Sequence, residues 1–194
     1  SIDYKGESLE YKVAGASIVL TFALALLIVY LVMAAQFESL VHPLVILLTV
    51  PLALMGGLAG LLLFDQTLNI YSQVGMIVLV GLATKNGILI VEFINQLRDQ
   101  GMAFQQAILD GAATRMRPIM MTAVTTVMGA LPLVLASGPG YEARTVIGVV
   151  VMCGVFTATL ITLLVIPAAY SLLARGTGSP QAVSRKLRTE LSET

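Results

Sequence analysis

The sequence contains few of the residues that form disulfide bonds and metal centres, with one cysteine and one histidine among its 194 residues. A disulfide within the chain is therefore impossible, and we interpret Cys153, which lies inside an apolar run, as a small packing residue. His42 has no cysteine or paired acid around it at metal-ligand spacing, so we predict no metal site and no cofactor. No Gly-x-Ser-x-Gly motif occurs and we expect no histidine within a membrane span, which argues against an intramembrane hydrolase.

Charge is also scarce. Charged residues make up 11% of the chain, against about 25% in an average soluble protein. Hydrophobic residues make up 57%, and the mean hydropathy of +0.91 is that of a membrane protein. Eleven basic and eleven acidic residues cancel, so the net charge gives no indication of a nucleic-acid partner.

Five apolar segments are long enough to cross a lipid bilayer as helices. We therefore predict an all-α membrane protein, a bundle of five transmembrane helices, within a transmembrane domain at 16–175. Residues 1–15 are polar and lead into the membrane, residues 103–114 predict a short amphipathic helix on the cytoplasmic interface, and residues 176–194 predict a disordered cytoplasmic tail. The predicted spans are about 17–35, 44–64, 74–94, 118–136 and 145–173.

Lys85 lies near the middle of the third span. A lysine side chain can carry its charge roughly 6 Å toward water, whereas the centre of a bilayer is about 15 Å from either interface. The charge therefore needs a carboxylate or water in a polar interior, which makes Lys85 a candidate functional residue, with Asn86 as polar support. A structural polar contact between helices is the alternative interpretation.

The partner of Lys85 is not apparent in the sequence. The other four apolar segments contain no Asp or Glu, and Glu92 is seven residues along the same helix, about 10 Å away and close to its end. The chain also begins at Ser1 without an initiator methionine or a signal peptide. These features suggest the C-terminal fragment of a larger membrane protein.

Gly56 and Gly60 in the second span have the small-xxx-small spacing that allows another helix to approach closely. We predict a role in helix packing for both. The spacing is common in membrane helices and gives no information about function.

Several motifs resemble those of a single family. The motifs are Ala34-Ala-Gln-Phe-Glu-Ser39 with Pro43, Val50-Pro-Leu52, Gly81-Leu-Ala-Thr-Lys-Asn-Gly-Ile-Leu-Ile-Val-Glu-Phe93, Arg115-Met-Arg-Pro-Ile-Met-Met-Thr122, and Gly129-Ala-Leu-Pro-Leu133 followed by Gly138-Pro-Gly140. Their combination is similar to the resistance–nodulation–division (RND) efflux transporters, hydrophobe/amphiphile (AcrB-like) branch. The resemblance covers about residues 11–175, the last five of that family's twelve membrane helices.

The resemblance implies a homotrimeric pump of the bacterial inner membrane that exchanges protons for hydrophobic or amphiphilic compounds. Its partners would be a periplasmic adaptor protein and an outer-membrane channel. By the same resemblance, Lys85 pairs with aspartates of the N-terminal half, and Thr122 and Arg115 belong to the proton relay. Arg115 as a plain cytoplasmic anchor is equally compatible with the sequence. Residues 1–15 would be the trailing edge of a periplasmic domain.

Two other functions remain open. The chain could belong to a non-catalytic membrane scaffold in which Lys85 serves only assembly. It could also belong to an RND relative that moves protein or lipid, although the Lys85-Asn86 motif favours efflux.

The distribution of basic residues predicts the orientation. Five spans place the two ends of the chain on opposite sides of the membrane. The side that holds the C-terminal tail carries seven basic residues and the other side carries three, which favours a cytoplasmic C-terminus. The seven are Arg98, Arg115, Arg117, Arg175, Arg185, Lys186 and Arg188, and the three are Lys5, Lys12 and Arg144.

Thiol labelling tests this orientation. Gln100→Cys and Ser137→Cys are introduced singly into the complete transporter on a Cys153→Ala background. In intact cells with a permeabilised outer membrane, we expect an impermeant thiol reagent to label the Ser137→Cys variant and not the Gln100→Cys variant. The reverse pattern would invert the topology.

Overall fold

The computed structural model describes the backbone of residues 7–174 and the side chains of residues 20–174. The predicted tail at 176–194 lies outside the described residues, as do residues 1–6. The regular elements of the described part are all α-helices. They are α1 (Glu7–Phe37), α2 (Val41–Leu47), α3 (Thr49–Leu63), α4 (Ile70–Asp99), α5 (Phe104–Val134) and α6 (Tyr141–Leu173).

Five of the segments are long and apolar enough to cross a membrane, which confirms the prediction of an all-α bundle of five spans. Four spans are single helices, and α2 and α3 together form the fifth, Val41–Leu63. The chain breaks between them at Leu48 because Pro51 has no N–H group to donate to the carbonyl of Leu47. The carbonyl of Ile46, also at the break, accepts a hydrogen bond from the hydroxyl of Thr49 at 2.7 Å.

The structure differs from the sequence-based prediction in α5. A separate interfacial helix at 103–114 does not form, because residues 104–134 make one continuous helix that passes through Pro118. Ala107 and Ile108 are buried in the core before the proline, and Ile119 is buried just after it. Packing of both halves against the same bundle outweighs the hydrogen bond that Pro118 cannot donate.

His42 is also placed differently from the prediction. The sequence analysis assigned it to a loop outside the spans, whereas it lies in α2, within the span Val41–Leu63, and is fully buried. The helix begins before Pro43 rather than at it, since a proline in the first turn has no intrahelical partner to lose. His42 therefore belongs to the interior of the bundle.

The core is built around α6, which packs against α3, α4 and α5. Val149, Val150 and Ile166 of α6 are completely buried. In contrast, α1 lies at the edge of the described bundle and leaves apolar side chains such as Leu24 and Leu31 exposed. The position of α4 is therefore determined mainly by its contact with α6.

Close approach of α3 to α6 depends on glycine. A Cβ atom built on Gly60 would lie 2.5 Å from the Cβ and 2.8 Å from the Sγ of Cys153, and one built on Gly56 would lie 2.5 Å from the Cβ of Thr157. These distances leave no room for a methyl group unless the two helices separate. The two glycines of the small-xxx-small motif thus lie at the α3–α6 contact.

A Gly60→Ala substitution tests this contact. We expect it to lower the free energy of unfolding of the purified chain in detergent by about 1–3 kcal/mol, because α3 must move away from α6. The control is Gly129→Ala, where no described atom lies within 4 Å of the new Cβ and the better helix propensity of alanine stabilises by up to about 1 kcal/mol. Equal effects of the two substitutions would show that α3 and α6 are not in close contact at Gly60.

Candidate functional site

Lys85 lies at the centre of α4, between Ile70 and Asp99 and roughly 20 Å from each end of the helix. Thr84 and Asn86, its neighbours in the chain, are buried, whereas the side chain of Lys85 is exposed at the surface of the described bundle. The α4 helix therefore presents its positive charge on a face that the other described helices leave open.

A capping box sets the beginning of α4. The Oδ1 atom of Asn69 accepts a hydrogen bond from the backbone N–H of Ser72 at 2.8 Å, and the Oγ atom of Ser72 accepts one from the backbone N–H of Asn69 at 2.9 Å. Two N–H groups of the first turn are satisfied in this way. Because the start of the helix is defined, the direction of every later side chain, including Lys85, follows from the helical repeat.

Thr122 of α5 meets Lys85 in a small cavity of about 30 Å³. The structure thus brings together two of the three predicted relay residues, which are 37 positions apart in the chain. Asn86, which the sequence analysis predicted as polar support for Lys85, also lines this cavity. The complete lining is Leu82, Lys85, Asn86, Thr122, Ala123, Thr126 and Val155.

The threonine hydroxyls of α5 donate to their own helix. Thr122 donates to the carbonyl of Ile119 at 2.9 Å, and Thr126 donates to the carbonyl of Thr122 at 2.8 Å. Their oxygen lone pairs remain acceptors for a cation such as the ammonium group of Lys85. The sequence analysis did not include Thr126 in the site, although its spacing of four residues from Thr122 places both on one face of a helix.

Arg115 lies apart from this cavity. Its guanidinium carbon is 4.4 Å from the centroid of the Phe93 ring of α4, a cation–π contact, and its Nε atom is buried without a hydrogen-bond partner in the described structure. Arg115 is seven residues before Thr122 on the same continuous helix, about 10 Å along the axis. The two residues share a helix face, but only Thr122 reaches the Lys85 cavity.

Asn86 is held by a hydrogen bond to α6. Its Nδ2 atom donates to the Oγ1 atom of Thr159 at 3.3 Å, and both side chains are buried, with 7% and 1% exposed. Thr159 is 73 residues further along the chain, so the sequence offered no means of pairing it with Asn86.

A second polar cluster lies near the C-terminal ends of α4 and α6. The hydroxyl of Tyr170 donates to the Oδ1 atom of Asn95 at 2.5 Å and accepts from the Nη1 atom of Arg98 at 2.8 Å. The ring of His42 stacks on the ring of Tyr170 with centroids 5.5 Å apart. The ring of Phe104 of α5 also stacks on the ring of Tyr170, with centroids 6.0 Å apart. The cluster joins α2, α4, α5 and α6, and the sequence analysis did not identify it.

Acidic groups are missing from the Lys85 cavity, since none of the described residues that line it is an aspartate or glutamate. Among the described residues, no group of three His, Cys, Asp or Glu side chains could hold a metal ion. The chemistry available at this site is therefore that of an ammonium group, an amide and hydroxyls.

Comparison with known proteins adds a family match. A model of the AcrB/AcrD/AcrF family matches residues 1–174. An uncharacterized transporter of Haemophilus influenzae is 42% identical over 181 residues, which cover 90% of this chain and 18% of that protein. The toluene efflux pump membrane transporter TtgB of Pseudomonas putida is 35% identical over 178 residues, covering 92% of this chain and 17% of TtgB.

The multidrug/solvent efflux pump membrane transporter MepB of Pseudomonas putida has the same identity and coverage as TtgB. The chain thus spans less than a fifth of the length of these curated relatives. The matched region contains the whole of the described helical bundle and the Lys85 cavity.

A Tyr170→Phe substitution tests the second polar cluster. It removes both hydrogen bonds of the hydroxyl and leaves the buried carbonyl oxygen of Asn95 without its donor, so we expect a loss of about 1–3 kcal/mol in the free energy of unfolding. The matched control is Tyr141→Phe at an exposed position, with an expected change within about 0.5 kcal/mol. Denaturant unfolding in detergent measures both variants, and equal stabilities would refute the hydrogen-bond chain.

Proposed function

Because the chain belongs to the AcrB/AcrD/AcrF family of RND efflux transporters, we propose that it supplies the last five membrane helices of a proton-driven efflux transporter. The transporter exports a hydrophobic or amphiphilic compound in exchange for protons and catalyses no covalent reaction. The names of the similar proteins TtgB, a toluene efflux pump, and MepB, a multidrug/solvent efflux pump, support this substrate class.

The observation that carries the proposal is the placement of Lys85. Its charge lies at the centre of an apolar 30-residue helix, too far from either end for the side chain to reach water along the membrane normal. Lys85 of α4 and Thr122 of α5 line the same cavity at the surface of the bundle. This polar surface can bind groups from another part of the transporter. Carboxylates are the groups that an ammonium ion requires there.

Protonation of those carboxylates drives the cycle. While they are ionised, they hold Lys85 by charge-assisted hydrogen bonds and keep α4 close to the helix that bears them. When protons enter, the carboxylates become neutral, the attraction weakens and the helices repack. Two helix arrangements, selected by protonation, can then be coupled to access of the compound site outside this chain.

Membership of the family supports the remaining parts of the proposal. The acidic counter-ions come from the N-terminal half of the same transporter, three copies assemble in the bacterial inner membrane, and a periplasmic adaptor and an outer-membrane channel complete the export path. The C-terminus is cytoplasmic. Arg115, which stacks on Phe93 two turns from Thr122, relays protons at the cytoplasmic end of the cavity face.

A Lys85→Met substitution tests the coupling role. Methionine keeps an unbranched side chain and removes the charge, so we expect trimer assembly to persist while proton-coupled efflux falls to the level of cells without the pump. Lys85→Arg should also impair efflux strongly, because a planar guanidinium cannot replace a compact ammonium group. Efflux of a fluorescent amphiphilic dye such as ethidium and the trimer content of the membrane are measured together.

The matched control is Arg144→Met, which makes the same exchange of cation for methionine at an exposed position near the start of α6. We expect this variant to retain efflux. Near-normal efflux by Lys85→Met would remove Lys85 from the coupling mechanism and favour a scaffold. If the transporter requires Lys85 for its activity but the wild type exports no dye, a relative that moves protein or lipid is favoured instead.

A further inference from the structure

Asn86 and Lys85 are adjacent on α4, but they point toward different helices. Successive side chains on a helix are about 100° apart, so fixing one of them fixes the other. Asn86 is held toward α6 by its hydrogen bond to Thr159, and Lys85 is then directed into the cavity that it shares with Thr122 of α5. The rotation of α4 about its own axis therefore determines where the charge lies.

The apolar contacts around Asn86 pack α4 closely against α6 but offer the amide no hydrogen-bond partner. The neighbouring residues of α6 are small or short, with Val155 and Ala158 buried within one turn of Thr159. Contacts between such side chains hold the two helices together but contain no directional bond. The hydrogen bond between Asn86 and Thr159 is directional and joins two buried polar groups. At the level of Lys85 it therefore adds to the orientation that α4 receives, further along the helix, from the hydrogen bonds of Asn95 and Arg98 to Tyr170.

Loss of the Thr159 hydroxyl would have a specific consequence. The amide of Asn86 would lose its acceptor in an apolar environment, where an unpaired polar group is unfavourable. Asn86 also lines the Lys85 cavity, so the polar surface closest to the amide is the one used by Lys85 and Thr122. An amide turned into this cavity would compete with Lys85 for its counter-ions.

From this geometry we propose that Thr159 is a positioning residue for Lys85: by holding Asn86 on α6, it keeps the charge directed at the proton-coupling face. The inference rests on the proposed function, because it assumes that Lys85 couples proton entry to efflux. Thr159 itself exchanges no proton and touches no substrate in this role. Its effect is transmitted through Asn86 and the rotation of α4.

The test uses the complete transporter with Thr159→Val, which replaces the hydroxyl by a methyl group of similar size. Hydrogen bonds between membrane helices correspond to roughly three- to twentyfold changes in an equilibrium, so we expect ethidium efflux per trimer to fall by about three- to twentyfold. Efflux is recorded at a series of external pH values. We expect the pH dependence of the Thr159→Val variant to shift, because the position of Lys85 relative to the titrating carboxylates has changed. Thr159→Ser keeps a hydroxyl and should restore both the rate and the pH dependence.

The control for packing is Thr157→Val, two residues earlier on α6, where the side chain contacts Gly56 of α3 instead of α4. A purely structural role for Thr159 would lower the amount of assembled trimer without moving the pH dependence. If Thr159→Val and Thr157→Val behave alike, or if serine does not rescue, the inference is wrong. Lys85→Met is measured in parallel. If Lys85→Met is inactive while Thr159→Val fails to show the expected effect, only this inference is wrong and the proposed function stands. If Lys85→Met is active, the proposed function and this inference both fail.

Discussion

The positive charge of Lys85 within an apolar helix is the constraint on which the rest of this structure depends. Burial of an ammonium group among aliphatic side chains is strongly unfavourable, so the bundle must give it a polar face or a partner. The described helices do so by leaving one side of α4 open and by placing Thr122 and Thr126 beside it. The ammonium group has no counter-ion there, since none of the described residues lining the cavity supplies a negative charge.

Orientation of that charge is achieved by packing on the opposite side of α4. Small residues let the helices approach: Gly154 of α6 lies against the side chain of Leu79, and Gly87 of α4 lies against Ile46 and Ile166. Such contacts give a tight bundle without any directional bond. The hydrogen bond from Asn86 to Thr159 adds direction at the level of Lys85.

The two ends of α4 serve different purposes. At its start, the Asn69–Ser72 capping box defines the first turn. Near its end, Asn95 and Arg98 bind Tyr170 of α6, and the stacked rings of His42 and Phe104 bring α2 and α5 to the same point. Between these two fixed regions lies the segment with Lys85, where apolar contacts dominate.

The sequence by itself determined the class and the number of spans, because hydropathy acts locally along the chain, and the cost of a buried charge made Lys85 the candidate functional residue. It also identified the family through contiguous motifs. Only the tertiary structure decided that Thr159 is the partner of Asn86, that Arg115 stacks on Phe93 away from the cavity, and that His42 is interior. The sequence predicted a separate helix at 103–114 and a span at 118–136, yet α5 is continuous through Pro118 because Ile108 and Ile119 are buried in the same core. These features could not be read from the sequence, since each depends on side chains that are distant in the chain and meet only when the helices pack.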